Sequence, residues 1–159
     1  MSYDNLEETL NKYAKAYTVK YKSQLRKNKN YASGDLVNSI KPDLSLENQF
    51  SILALDYMYQ VSEGRKAGKM PPWPPKSFRI ADWIKRKNII IKKNGKVVSS
   101  SPNNIKSLAY VIARSIGRRG YKGNNIIDFV YNSLSKQMGD EIFESYKQDL
   151  EKILKEQVK

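Results

Sequence analysis

The 159-residue chain contains no cysteine and no histidine. Lacking cysteine, it has no disulfide, no thiolate zinc site and no thiol nucleophile. Lacking histidine, it is without the commonest general base and the commonest transition-metal ligand. No run approaches the roughly 18 apolar residues that cross a bilayer. The opening MSYDNLEETL is polar and acidic, unlike a signal peptide. These absences predict a protein made and kept in the cytoplasm, with no cofactor, no metal and no membrane contact.

What is present supports a packed core. The chain is 40% hydrophobic, with eleven Tyr and four Phe, so it is not compositionally disordered. Its length fits one domain over residues 1–159. Within it, residues 28–123 read as a core with hairpins and basic loops, and 124–159 as a C-terminal helical segment.

Charge is distributed unevenly. Residues 1–64 hold eight Lys/Arg and eight Asp/Glu. Residues 65–123 hold sixteen cations against the single acid Asp82, a net of +15. Residues 124–159 hold five and seven, which leaves +13 for the whole chain. A basic excess confined to one segment points to an anionic partner. The plainer alternative is a solvated basic surface, since charge bears on solubility and binding but not on fold.

Periodicity predicts helices interleaved with hairpins, hence an α+β domain. It implies a long N-terminal helix and C-terminal helices packed on a small antiparallel β-sheet. Leu6, Leu10, Tyr13, Tyr17, Tyr21 and Leu25 form one apolar stripe over 4–27, with Asp4 or Asn5 as cap. Residues 35–40 suit a single helical turn ended by Pro42. Residues 43–47 and 50–56 read as a hairpin whose second strand is the more buried. Residues 57–63 suit either strand or short helix, and 64–75 read as a long irregular loop. A helix over 76–87 turns Phe78, Ile80, Trp83 and Ile84 inward. Asn94-Gly95 between apolar runs is a strong hairpin signal. The polar stretch before residue 105 supplies a cap for a helix over 105–117, with Leu108, Ile112 and Ile116 on one stripe. Residues 126–157 are helical, with a kink or a break expected at Gly139-Asp140.

Two middle segments combine turn residues, a short amphipathic helix and clustered cations. One spans residues 63–88, EGRKAGKMPPWPPKSFRIADWIKRKN; the other spans 109–123, AYVIARSIGRRGYKG. Arg65, Lys66 and Lys69 in the first, with Arg114, Arg118, Arg119 and Lys122 in the second, are candidate contacts for DNA or another anionic partner. Arg holds phosphates bidentately, and Tyr121 offers a stacking face. Gly117, Gly120 and Gly123 let backbone N–H groups approach an anion. The bland reading is a basic loop after a helix. Met70, Pro71, Pro72, Trp73, Pro74 and Pro75 form a stiff extended arm, a candidate subunit-interface element. Its alternative is Trp73 folding back on its own core. Asp56, Glu63 and Asp82 match no metal-binding spacing, and Asp82 pairs naturally with Lys85 or Arg86 along a helix.

The order of these elements resembles the tail-completion and neck proteins of tailed phages. The residues that carry it are Tyr57 to Val61, Glu63-Gly64-Arg65, the Gly/Pro loop over 68–75, and the helix from Ile80 to Lys87. Ala109 to Arg114, then Arg118-Arg119-Gly120 and Gly123-Asn124, follow in order. Ser33 to Ile40 resembles the family's segment before its first hairpin. The exit at Gly123 to Ile126 lacks the Pro of the family's Gly-x-Pro-Phe. The resemblance spans roughly residues 30–135. It implies a virion structural protein rather than an enzyme, assembled in the host cytoplasm. It further implies a ring oligomer at the head–tail junction or tail end. Its partners would be further copies of itself, the portal-side connector and tail proteins, with non-specific contact to DNA in the channel. The rival readings are a stand-alone basic nucleic-acid-binding protein and a small basic ribonuclease using Lys, Arg, Tyr or carboxylates.

Overall fold

The structure, a computed structural model, describes residues 3–28, 34–68, 70–71 and 79–157. The fold is α+β. In chain order the elements are α1 (Asp4–Lys27), α2 (Asp35–Ser39), β1 (Lys41–Asp43), β2 (Ser51–Leu53), α3 (Met58–Glu63) and β3 (Gly64–Arg65). Then follow α4 (Arg79–Arg86), β4 (Lys92–Lys93), β5 (Lys96–Val97), α5 (Pro102–Arg119), β6 (Tyr121–Lys122) and α6 (Ile126–Gln157). Among the described residues the strands form three two-stranded antiparallel ribbons: β1–β2, β3–β6 and β4–β5. By contacts the chain forms two compact units. One comprises residues 1–30, 36–58 and 125–159; the other comprises 31–35 and 59–124.

The first unit is built on α1 and α6, which run antiparallel. Thr9 Oγ1 lies 2.6 Å from Ser145 Oγ, and Tyr17 Oη lies 3.4 Å from the Tyr131 carbonyl. The α1 stripe is the core, as expected: Leu6, Leu10, Tyr13, Tyr17 and Leu25 are buried. Each fully buried side chain of Leu or Ile size contributes about 1.5–3 kcal/mol. The β1–β2 ribbon packs on α1, and Phe50 sets its ring 5.8 Å from that of Tyr17.

The start of α1 is closed differently from the sequence expectation. Asp4 is already helical, and the capping position, Tyr3, makes no side-chain cap bond. A helix leaves its first N–H groups without partners. Here buried Asp149, 144 positions from Asn5, accepts from the Asn5 N–H at 3.2 Å and the Leu6 N–H at 2.9 Å. It also accepts from Asn5 Nδ2 at 2.7 Å. The cap is therefore tertiary, and it fixes the register of α1 on α6. Lys12 and Glu141 pair farther along, and the ammonium group holds Glu141 below the usual carboxylate range. Tyr13 is 2% exposed and its hydroxyl makes no full hydrogen bond. Burial first, then the nearby Glu141 carboxylate, pushes that phenol up to about 12.

Three further expectations need correction in this unit. The hairpin pairs Pro42 with Ile52, so its first strand lies earlier than predicted. A ribbon of two strands leaves one edge of each strand unpaired, which accommodates a residue without an N–H. Its second strand is not buried: Leu53 is 54% exposed. Finally, α6 runs unbroken through Gly139 and Asp140 for 32 residues.

The second unit centres on α4, the β4–β5 hairpin and α5. Ala81, Ile84, Ile91, Ile105 and Ala109 form its buried cluster, with Ile80, Ile89, Val98, Leu108 and Ile112 packed against it. The Asn94-Gly95 turn is as expected, with φ of 49° and 79° joining Lys93 directly to Lys96. Both values are positive, as the turn that matches strand twist requires. Residues 57–63, left open by sequence, include the helix α3. Ala81, not Trp83, completes the inward face of α4, and Trp83 is 42% exposed. Phe78 lies outside the described residues. Ser101 caps α5 by accepting from the Asn104 N–H at 3.3 Å, with Pro102 at the first position. The helix thus starts before residue 105 and ends after 117. Its deepest ridge is Ile105, Ala109, Ala113 and Gly117, while Leu108, Ile112 and Ile116 sit half-buried beside it.

Candidate functional site

The two basic segments meet as the β3–β6 ribbon. Gly64 pairs with Lys122 and Arg65 with Tyr121. The chain enters this ribbon from α3 and returns to it from the end of α5. Three glycines make the approach possible. A Cβ on Gly64 would overlap the Gly123 nitrogen and the Tyr121 carbonyl. A Cβ on Gly123 would overlap the Ser62 carbonyl, and one on Gly120 the Arg65 carbonyl. Gly64 and Gly120 also have φ of 81° and 67°, where side chains other than Gly are strained. The Asn124 N–H donates to the Val61 carbonyl at 3.2 Å and extends the pairing.

A fourth glycine holds the segment that follows. The Gly68 N–H donates to the Gly117 carbonyl at 2.7 Å. A Cβ on Gly117 would stand 3.0 Å from the Met70 Cα, so the absence of a side chain lets Met70 lie against α5.

The cations fall into place around this frame. Arg65 is half-buried on β3, and Lys66 follows it, exposed. Lys122 is exposed on β6. Arg118 and Arg119 are exposed in the last turn of α5, where the helix dipole also favours cations. Arg114 lies one turn earlier on the same helix, exposed. Burial raises the Tyr121 phenol above its usual value, and Arg65 beside it pulls the other way. Lys69, Pro72, Trp73, Pro74 and Pro75 lie outside the described residues. Of the expected arm, Met70 and Pro71 are described, both half-buried.

In the sequence these cations lie in two separate segments, with no local pattern that pairs them. The signal that could have done so is the glycine pattern. Gly64, Gly120 and Gly123 bracket two short polar pairs, which is what a tight backbone-to-backbone ribbon needs.

The partition into units sharpens the charge map. Over the first unit's residue ranges the sequence has thirteen Lys/Arg and thirteen Asp/Glu, a net of zero. Over the second unit's ranges it has sixteen and three, a net of +13. Among the described residues no three His, Cys, Asp or Glu gather to hold a metal ion. No described helix is long and apolar enough to cross a membrane. What the arrangement offers chemically is a paired backbone platform carrying guanidinium and ammonium groups, suited to phosphates or carboxylates. No family model, curated protein or solved structure matches the chain.

Proposed function

We propose that this chain is a virion structural protein, a ring-forming adaptor at a phage head–tail junction or tail end. The observation that carries the reading is apolar surface left uncovered on a single chain. Among the described residues eight large apolar side chains are at least 60% exposed, including Val19, Tyr59, Ile90 and Val97. Isolated exposed apolar residues are ordinary, but this many on one small chain suits a subunit that meets neighbours. Further support comes from the ribbon, in which the two segments carrying the family resemblance pair with each other. The role is structural rather than enzymatic. Partners are further copies, a portal-side connector and tail proteins, with the basic unit facing DNA or an acidic neighbour. Electron microscopy of the purified chain, alone and mixed with the connector and tail proteins encoded beside it, tests the reading. Rings or ring-capped connectors are expected. A chain that stays monomeric with both partners present, and is missing from purified particles, overturns it.

A second reading is favoured by one observation, the concentration of net charge in one unit. A stand-alone nucleic-acid binder would hold free duplex or single-stranded DNA, with affinity falling steeply as salt rises. Arg118→Ala with Arg119→Ala would then lower the salt slope by about two. No binding at low salt removes this reading and leaves the first intact.

A further inference from the structure

The C-terminal half of α6 carries an apolar stripe that its own unit does not cover. Phe143 is 67% exposed, Leu150 37% and Leu154 61%. Contacts with α1 run through Glu141, Ser145 and Asp149 on a different face. At about 100° per residue, the stripe lies roughly 100–140° around the helix from Asp149. Tyr146 marks the edge between the two faces, stacking on Tyr3 at 5.8 Å. The far side of the stripe is charged, with Lys147 and Glu151 next to it and Glu144 beyond.

We propose that this stripe pairs with the same stripe of a second copy, antiparallel and about a two-fold axis near Asp149. The charge order selects the occupant and the orientation. In an antiparallel two-fold pair, the charged flank of one helix meets the charged flank of the other. Numbers that sum to about 298 then face each other. Phe143 meets the partner's Leu154, Leu150 sits at the axis, and Lys147 meets Glu151 of the partner subunit. Both apolar and charged contacts are therefore complementary under one operation, and each is made twice. A parallel pair would set the charged flank against Tyr146 and Ile153 instead. The flank also carries both signs, which does not suit an anionic lipid surface.

The stripe is short, about 16 Å from Phe143 to Leu154, so the pair is a weak one. A two-fold pair closes on itself, so it is distinct from the head-to-tail contacts of a ring and does not rest on them. The test is sedimentation equilibrium of the full chain from about 5 to 500 µM, the range where weak dimers form. Average mass should climb from 18.4 kDa toward twice that value. Phe143→Glu and Leu154→Glu should each hold the chain monomeric, with helix content by circular dichroism unchanged, because both side chains are largely exposed. Lys147→Glu should weaken the dimer roughly tenfold, by turning two attractions into two repulsions. Adding Glu151→Lys should restore it. A wild-type mass that stays at one chain throughout overturns the proposal. So does self-association that survives Phe143→Glu and Leu154→Glu, or a double charge swap no tighter than Lys147→Glu alone.

Discussion

The unit built on α1 and α6 and the unit built on α4 and α5 use charge in opposite ways. In the first, a buried carboxylate holds elements in register. Asp149 caps α1 from the other end of the chain, while the Lys12–Glu141 and Lys152–Asp4 pairs lie at the surface. Cations and acids balance there at thirteen each. In the second, register is set by backbone proximity at glycines, and the Arg86–Asp35 pair at 3.1 Å is exposed. Exposed ion pairs contribute about 0–1 kcal/mol, so that pair does little to hold the second unit together. A buried carboxylate closes a helix in one unit, while the other carries a net surplus of cations.

The strongest way to break this contrast is at Gly123. An added Cβ would overlap the Ser62 carbonyl and the Gly64 nitrogen, both backbone atoms that cannot swing away. Gly123→Ala should cost about 3 kcal/mol or more. Hydrogen exchange should rise at the Gly68 and Asn124 amides, while α1 and α6 keep their protection. Equal loss in both units would mean that they fold as one.

The converse experiment is Asp149→Ala. It strips two helix N–H groups and the Asn5 amide of their acceptor inside a buried site. The expected loss is about 2–3 kcal/mol in urea unfolding, with exchange rising first at the start of α1. Asp149→Asn keeps one acceptor oxygen and should lose less. If Asp149→Ala unfolds no more easily than wild type, the tertiary cap is not what fixes the register.

Next in size is the alkaline limb of the first unit. Tyr13 is raised from 10.0 to about 12, chiefly by burial. A group whose folded value is raised contributes stability that is complete below its unfolded value. That contribution disappears as pH climbs from 10 through about 12. Urea midpoints of wild type should therefore fall over this window, and Tyr13→Phe should flatten the fall. At pH 7 the same variant should be near neutral, because the lost hydroxyl has no full hydrogen bond. A parallel fall in both proteins would assign the alkaline limb to other groups.

Which features could be read from sequence follows from where their causes lie. The bounds of α1 and the Asn94-Gly95 turn depend on neighbours within a few residues, and both were legible. The Asp149 cap was not, because no local rule links Asn5 to a residue 144 positions away. Pro42 reads as a stop in the sequence, whereas a two-stranded ribbon leaves an edge free for it. Spacing turns Trp83 inward, yet Ala81 is the residue of α4 that is buried in one cluster with Ile84 and Ala109. At the candidate site the cations were legible one by one. Their meeting was not, since β3 and β6 are two-residue strands with no periodicity to read.

Gly139 completes the contrast with the smallest effect. Its sequence position suggested a break, but α6 continues through it, and nothing stands within 4 Å of where a Cβ would be. Unlike Gly64, Gly120 and Gly123, it makes no close approach and needs no special backbone angle. A glycine inside a helix then only costs stability, by roughly 0.8–1 kcal/mol relative to alanine. Gly139→Ala should accordingly raise the urea midpoint by about that much energy, partly by restricting the unfolded chain. Gly64, Gly120 and Gly123 should each lose stability on the same substitution. If Gly139→Ala is instead destabilising, α6 bends at that point in solution, which is the kink that the sequence predicts.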